Sequence, residues 1–185
     1  MKRFYAVVLA AALALGCASA LAQDKAAAAP APPSTVIATL DKELSHLEQG
    51  LLGLAEAMPE DKYSYHPTQG KFDGVLDFAG QVKHLAGGFD FYSSAILGQK
   101  ASEEPKNVKT KAEIIQYLKD SIGRAHKALA TINEQNMFTP IPPPFGKNPT
   151  TRLSVAVSMV SHPYDHYGQM VEYLRGVGVV PPGSK

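Results

Sequence analysis

His162 and His166 stand four residues apart in the run Val160-Ser161-His162-Pro163-Tyr164-Asp165-His166-Tyr167-Gly168-Gln169-Met170, whose apolar spacing is helical. On a helix, side chains at i and i+4 lie one above the other with Cβ atoms roughly 6 Å apart. Two imidazoles placed this way can converge on one divalent ion. Two ligands are too few, so a third must come from elsewhere in the chain. The plain alternative is a histidine pair that faces water or hydrogen-bonds in the core.

The same segment carries two apolar stripes. Leu153, Val157, Val160, Tyr164, Tyr167, Val171 and Leu174 form one; Val155, Met159, His162, His166, Met170 and Tyr173 form the other. A helix apolar on two sides is buried on two sides. The histidines are therefore expected away from open water, where an unpaired polar group costs a few kcal/mol. The first stripe also offers a surface for a homodimer through this helix. Pro163 removes the helical hydrogen bond to the Met159 carbonyl, and a kink there, between the two histidines, would disturb their geometry.

Three further histidines are candidates for the third position. His84 lies on a face with Gly80, Gln81, Gly87, Gly88, Phe91 and Ala95. Helix-interior glycines cost about 1 kcal/mol each against alanine, and close approach by a neighbouring helix or ligand is one reason to keep them. His66 precedes Pro67 in a turn-rich connection and is biased to extended backbone. His126 lies beside the apolar stripe of its helix as a reserve ligand. His46 falls off its helix's stripe and reads as a solvated surface residue.

Four amphipathic helices must position these side chains. The first starts at Ser34 or Thr35, carries Ile37, Leu40, Leu44, Leu47, Leu51, Leu54 and Met58, and stops at Pro59. The second opens at Asp73 as N-cap and ends near Gly98, with Phe78, Val82, Leu85, Phe89, Tyr92 and Ile96 as its stripe. Thr110-Lys111-Ala112-Glu113 is a capping box opening the third, whose stripe is Ile114, Leu118, Ile122, Ala125, Leu129 and Ile132. The fourth starts near Thr150 or Thr151 and ends around Gly176 to Gly178. Residues 59–72 and the proline-rich residues 136–150 make long connections, and no strand is expected. The fold class is all-α, a four-helix bundle with long connections between helices 1–2 and 3–4.

The N-terminus reads as an export signal. Lys2 and Arg3 precede an apolar Ala6–Leu15, and Ala20-Leu21-Ala22 is a small-x-small cleavage pattern. The expected domains are residues 1–22 as signal peptide, 23–33 as an Ala/Pro-rich tether and 34–185 as the bundle, so the mature protein is periplasmic or secreted. The rival is a lipoprotein attached through Cys17, for which Ala14-Leu15-Gly16 is a poor box. The apolar run is too short for a stable membrane span. The chain has 18 basic and 17 acidic residues; removing Lys2 and Arg3 with the signal leaves 16 against 17, a formal −1. Such a balance carries no electrostatic footprint for nucleic acid. The only cysteine leaves with the signal, so any metal must be held by histidine and oxygen.

With these residues in place, the chain resembles the DinB-like four-helix-bundle superfamily from about Thr35 to Pro182. The resemblance rests on Tyr65-His66-Pro67-Thr68 with Gly70-Lys71, on His84, and on His162-x-x-x-His166-Tyr167-Gly168-Gln169, with Tyr173-Leu174-Arg175 and Pro181-Pro182 behind. It implies that His84, His162 and His166 bind a divalent metal, zinc or nickel, with coordination left open. Pro163 departs from the family pattern. The function implied is a metal-dependent hydrolase or transferase acting on a small molecule, the alternative being a non-catalytic metal- or ligand-binding or interaction module. Asp165, Tyr167 and Gln169 neighbour the ligands and are candidates to support them by hydrogen bonds. Their plain readings are a solvated acid, a core tyrosine and a hydrogen-bonding amide.

Overall fold

The computed structural model of the chain describes residues 35–101 and 108–183, and the signal, Cys17 and the tether lie outside them. Four helices account for most of what is described: α1 (Thr35–Ala57), α2 (Phe78–Leu97), α3 (Lys111–Leu129) and α4 (Arg152–Gly176). Each of α2 and α1 packs against both α3 and α4. The order around the bundle is therefore α1–α3–α2–α4, with α1 diagonal to α2 and α3 diagonal to α4. This explains the two long connections, which must cross a diagonal, whereas α2 and α3 are neighbours.

The expected stripes form the core. Leu44, Leu47, Leu51 and Leu54 of α1 meet Phe78, Val82, Leu85 and Phe89 of α2 and Ile114, Leu118 and Ile122 of α3, all of them buried. Thr110 and Glu113 make the capping box: Glu113 N–H donates to the Thr110 hydroxyl and Thr110 N–H to the Glu113 carboxylate. The backbone N–H groups of Thr110 and, next, Lys109 donate to the Glu113 carboxylate and hold it below its usual range. Asp90 is buried and accepts two hydrogen bonds from Arg124, at 2.6 and 2.9 Å, tying α2 to α3.

The start of α2 differs from the expectation. Asp77, not Asp73, is the N-cap, its carboxylate accepting from Gly80 N–H. Gly74 has φ +80, a left-handed turn that ends any helix begun at Asp73. The preceding connection supplies the remaining acceptors: Phe78 N–H donates to the Tyr65 carbonyl and Ala79 N–H to the Tyr63 carbonyl. Tyr63 in turn donates to the Ala55 carbonyl at 2.6 Å, which fixes this connection against α1.

A second difference lies in the connection from α3 to α4. It closes with a two-residue antiparallel ladder, β1 (Pro140–Ile141) and β2 (Thr150–Thr151), where no strand was expected. Proline is tolerated there because the ladder is all edge. Thr151 then caps α4 through Ser154 N–H. The helix runs unbroken through the buried Pro163.

The two stripes of α4 are both spent within the chain to different degrees. Val155, Met159, Met170 and Tyr173 are buried, as are Val160 and Leu174 of the other stripe. Val157 and Tyr164 stay exposed, and the Tyr164 hydroxyl donates to Glu43 of α1 at 3.3 Å. Among the described residues, no helix is long and apolar enough to cross a membrane.

Candidate metal centre

The structure brings together His84 of α2 and His162 and His166 of α4. Nε2 of His162 lies 3.2 Å from Nε2 of His84 and 3.1 Å from Nε2 of His166. All three nitrogens fall within 4.8 Å of one another, and among the described residues no carboxylate joins the group. Ligand nitrogens around a tetrahedral zinc, each about 2.0–2.1 Å from the ion, sit about 3.3 Å apart. The donor set and spacing fit a divalent ion. Pro163 leaves the pair on one face, so the departure from the family pattern does not separate its members.

Of the α2 glycines, Gly88 lies against the cluster. A Cβ on Gly88 would stand 3.4 Å from Cε1 and 3.5 Å from Nδ1 of His162. That is ordinary van der Waals distance, so the His162 ring packs directly against the α2 backbone at this point.

Burial corrects one expectation. His84 is exposed and His162 and His166 are half-buried, so the cluster lies at the bundle rim with an open side. The physical cause is that α4 buries Met159, Pro163 and Met170 more deeply than the histidines beside them. Desolvation, then the neighbouring imidazoles His162 and His84, push His166 down to about 4, with Asp165 opposing. His162 is lowered by burial first and by His84 second. Both effects favour the neutral form that a metal requires.

Behind the cluster runs a polar relay. Nδ1 of His166 lies 2.6 Å from Oε1 of Gln81; Nε2 of Gln81 donates to Oε1 of Gln169 at 2.9 Å; Nε2 of Gln169 donates to Asp165 at 3.2 Å. An ionised carboxylate only accepts. Asp165 therefore orients the Gln169 amide, Gln169 orients Gln81, and His166 must carry its proton on Nδ1. Its Nε2 is left with a bare lone pair aimed at His162. A lone pair so placed is what a cation wants.

Gln81 is the participant that sequence reasoning missed, although it was placed on the face of His84. Its signal was a glutamine inside an apolar helix, and it is 2% exposed. Asp165 and Gln169 are drawn into the relay. Tyr167 is turned elsewhere: its ring lies over Gly50 of α1, 2.9 Å from where a Cβ would stand, and lines a cavity with His46 and Pro182. His66 is exposed in the connection from α1 to α2, and the cluster does not include it. His126 is engaged on α3, with Nδ1 2.6 Å from Asp41 and Nε2 3.6 Å from Glu48, both on α1.

The family model of the DinB superfamily matches residues 43–170, a span that holds all three histidines and the whole relay. The chain belongs to the DinB superfamily. Its fold is similar to that of a DinB-like protein from Bacillus cereus ATCC 10987, with a TM-score of 0.64, 16% identity, and coverage of 80% of this chain and 96% of that one. A DinB-like protein from Bacillus subtilis compares equally, with a TM-score of 0.64, 21% identity and coverage of 80% and 97%. At these identities the likeness speaks for the bundle alone. No curated protein matches the chain.

Proposed function

We propose that this DinB-superfamily chain is an exported bundle that binds one divalent metal, zinc or nickel, through His84, His162 and His166. The observation that carries the reading is the convergence of three Nε2 atoms at 3.1 and 3.2 Å, with the His166 tautomer set from behind by Gln81. A metal held there supplies Lewis acidity to a carbonyl or a water molecule. On that basis the chain acts as a metal-dependent hydrolase or transferase on a small molecule. The residues do the rest: Gln81 and Gln169 orient His166, and the exposed side of His84 leaves the centre open to a ligand.

A second reading, an exported metal- or ligand-binding module without turnover, has one observation in its favour. Hydrolysis wants a general base. Asp165 is committed to Gln169, and Asp90 is held by Arg124. Transfer of low-molecular-weight thiols suits an exported protein poorly, because such thiols are chiefly cytosolic. A near-neutral charge gives no support to nucleic-acid binding.

Metal analysis of protein purified without a metal-binding tag tests the proposal. About one equivalent of zinc or nickel is expected, and protein free of metal that also takes up none on incubation sinks it. Assays on esters, amides and thiol adducts with the loaded protein then separate the catalytic reading from the binding one.

A further inference from the structure

Beside the histidines lies a cavity of about 250 Å³, bounded by α2 from Lys83 to Tyr92, by His162 of α4 and by Phe145 of the connection from α3 to α4. About 150 Å³ suffices for a benzene-sized ligand, while larger ligands take about 300–1,000 Å³. The space fits one ring and a short head group.

The walls agree with that occupant. Phe145 is 67% exposed, yet its ring sits 4.7 Å from that of Phe91 and 6.1 Å from that of Tyr92. Tyr92 stands edge-on to His162 at 5.9 Å. This is a continuous aromatic surface leading to the metal centre, at the separations aromatic rings prefer. Gly87 and Gly88 place no side chain on their stretch of the α2 wall, between His84 and Phe91.

Tyr92 adds a polar group. The residue is 8% exposed, and its hydroxyl makes no hydrogen bond to any described residue. No buried side-chain polar atom among the described residues lacks a partner, so this hydroxyl is reached by solvent, and Tyr92 is one of the residues that line the cavity. A phenol O–H on an otherwise aromatic wall is satisfied by water or by a hydrogen-bonding partner that displaces it. A ligand can be that partner.

We propose that this cavity binds the ring of a small aromatic compound whose oxygen-bearing head group, a carboxylate, carbonyl or hydroxamate, is directed at the histidine cluster. Phe145 and Phe91 hold the ring, and Tyr92 donates a hydrogen bond to the head group. This rests on the metal-centre reading above and names the class of ligand for that same site. A divalent ion at the histidines favours a head group that carries negative charge.

Calorimetric titration of the zinc-loaded protein with benzohydroxamate and acetohydroxamate tests it, because the two share one head group and differ by the ring. Benzohydroxamate is expected to bind at least about tenfold tighter, or about 1.4 kcal/mol. Phe145→Ala, a change at an exposed side chain, is expected to bring the ratio close to one while metal stoichiometry and acetohydroxamate affinity stay put. Tyr92→Phe is expected to weaken both hydroxamates by the same factor and keep the ratio. Equal affinities in the unaltered protein, or an unchanged ratio in Phe145→Ala, overturn the ring pocket. Unchanged affinities in Tyr92→Phe overturn the hydrogen bond. A protein that takes up no zinc overturns the metal reading and the ligand class with it, whereas a loaded protein indifferent to the ring overturns the ligand class alone.

Discussion

Oε1 of Gln81 lies 2.6 Å from Nδ1 of His166, and this contact decides which ring nitrogen of His166 is free. The polarity is inherited from Asp165 through Gln169, since a carboxylate at the far end can only accept. A surface acid on α4 thus sets the tautomer of the half-buried imidazole next to it in sequence, by way of Gln169 and of Gln81 on α2.

Breaking that relay should weaken the metal without removing a ligand. Gln81→Leu keeps the bulk and deletes the acceptor, and loss of such outer support typically costs about 10–100-fold in metal affinity. Competition against a chromophoric chelator should find a fall in that range at unchanged saturating stoichiometry. Gln81→Glu keeps an acceptor for Nδ1 and should hold affinity closer to that of the unaltered protein. Equal affinity in Gln81→Leu would mean the relay is packing and nothing more.

The metal-free protein should lose stability on mild acidification. His166, near 4, and His162, also lowered, titrate below the imidazole value of 6.5. Between 6.5 and about 4 the unfolded chain binds more protons than the folded one, so stability rises with pH across that window. It is complete above 6.5 and lost as pH falls toward 4. Urea unfolding at steps through the window should give that slope, and His166→Ala should flatten it. The same depression means protons compete for His166 at lower pH than an unperturbed imidazole would imply. Metal should therefore be retained somewhat below pH 6.5.

The helices were legible because each stripe recurs in threes and fours, and Leu44 to Leu54 or Ile114 to Ile122 have no other way to leave water. The pair His162 and His166 was legible for the same local reason. The start of α2 was not, because Asp73 and Asp77 are equally good caps by residue type. The choice falls to carbonyls of Tyr63 and Tyr65 brought from a connection fixed on α1. Gln81 was visible only as a buried polar residue without a stated partner, since its partner lies 88 positions later. The cavity wall at Phe145 depends on how a proline-rich connection folds back over α2, and no local pattern encodes that.

Export predicts a defined N-terminus. Lys2-Arg3, the apolar run to Leu15 and Ala20-Leu21-Ala22 point to cleavage after Ala22. Intact-mass measurement of protein from the secreting host should place Gln23 first. A lipid-modified Cys17 terminus, or an uncleaved chain, would count against it.

The α4 stripe should not be the seat of a two-fold dimer. The α4 stripe open to a two-fold partner keeps only Val157, at 47% exposure, and Tyr164, at 46%, as large exposed hydrophobics. A specific interface buries roughly 800 Å² on each side, which two such side chains do not approach. Light scattering at high micromolar concentration should give the same mass for the unaltered protein and for Val157→Lys. A stable dimer that Val157→Lys dissociates would reverse this and reopen α4 as an interface.

Metal removal should lower the melting temperature, and only the three histidines should matter for that. An ion bound to the folded state alone adds about 2.7 kcal/mol at a hundredfold excess over Kd. For a chain of this size each kcal/mol moves Tm by about 2–4 °C, so chelation should cost about 5–10 °C. His84→Ala, His162→Ala and His166→Ala should each abolish the difference between loaded and chelated protein. His46→Ala should leave it intact, since His46 is exposed on α1 and outside the cluster. His126→Ala is the sharper control. It breaks contacts to Asp41 and Glu48 and should lower Tm with and without chelator alike. If metal stoichiometry stays near one in all three cluster variants, the ion is held elsewhere and the cluster is a hydrogen-bonded structural feature.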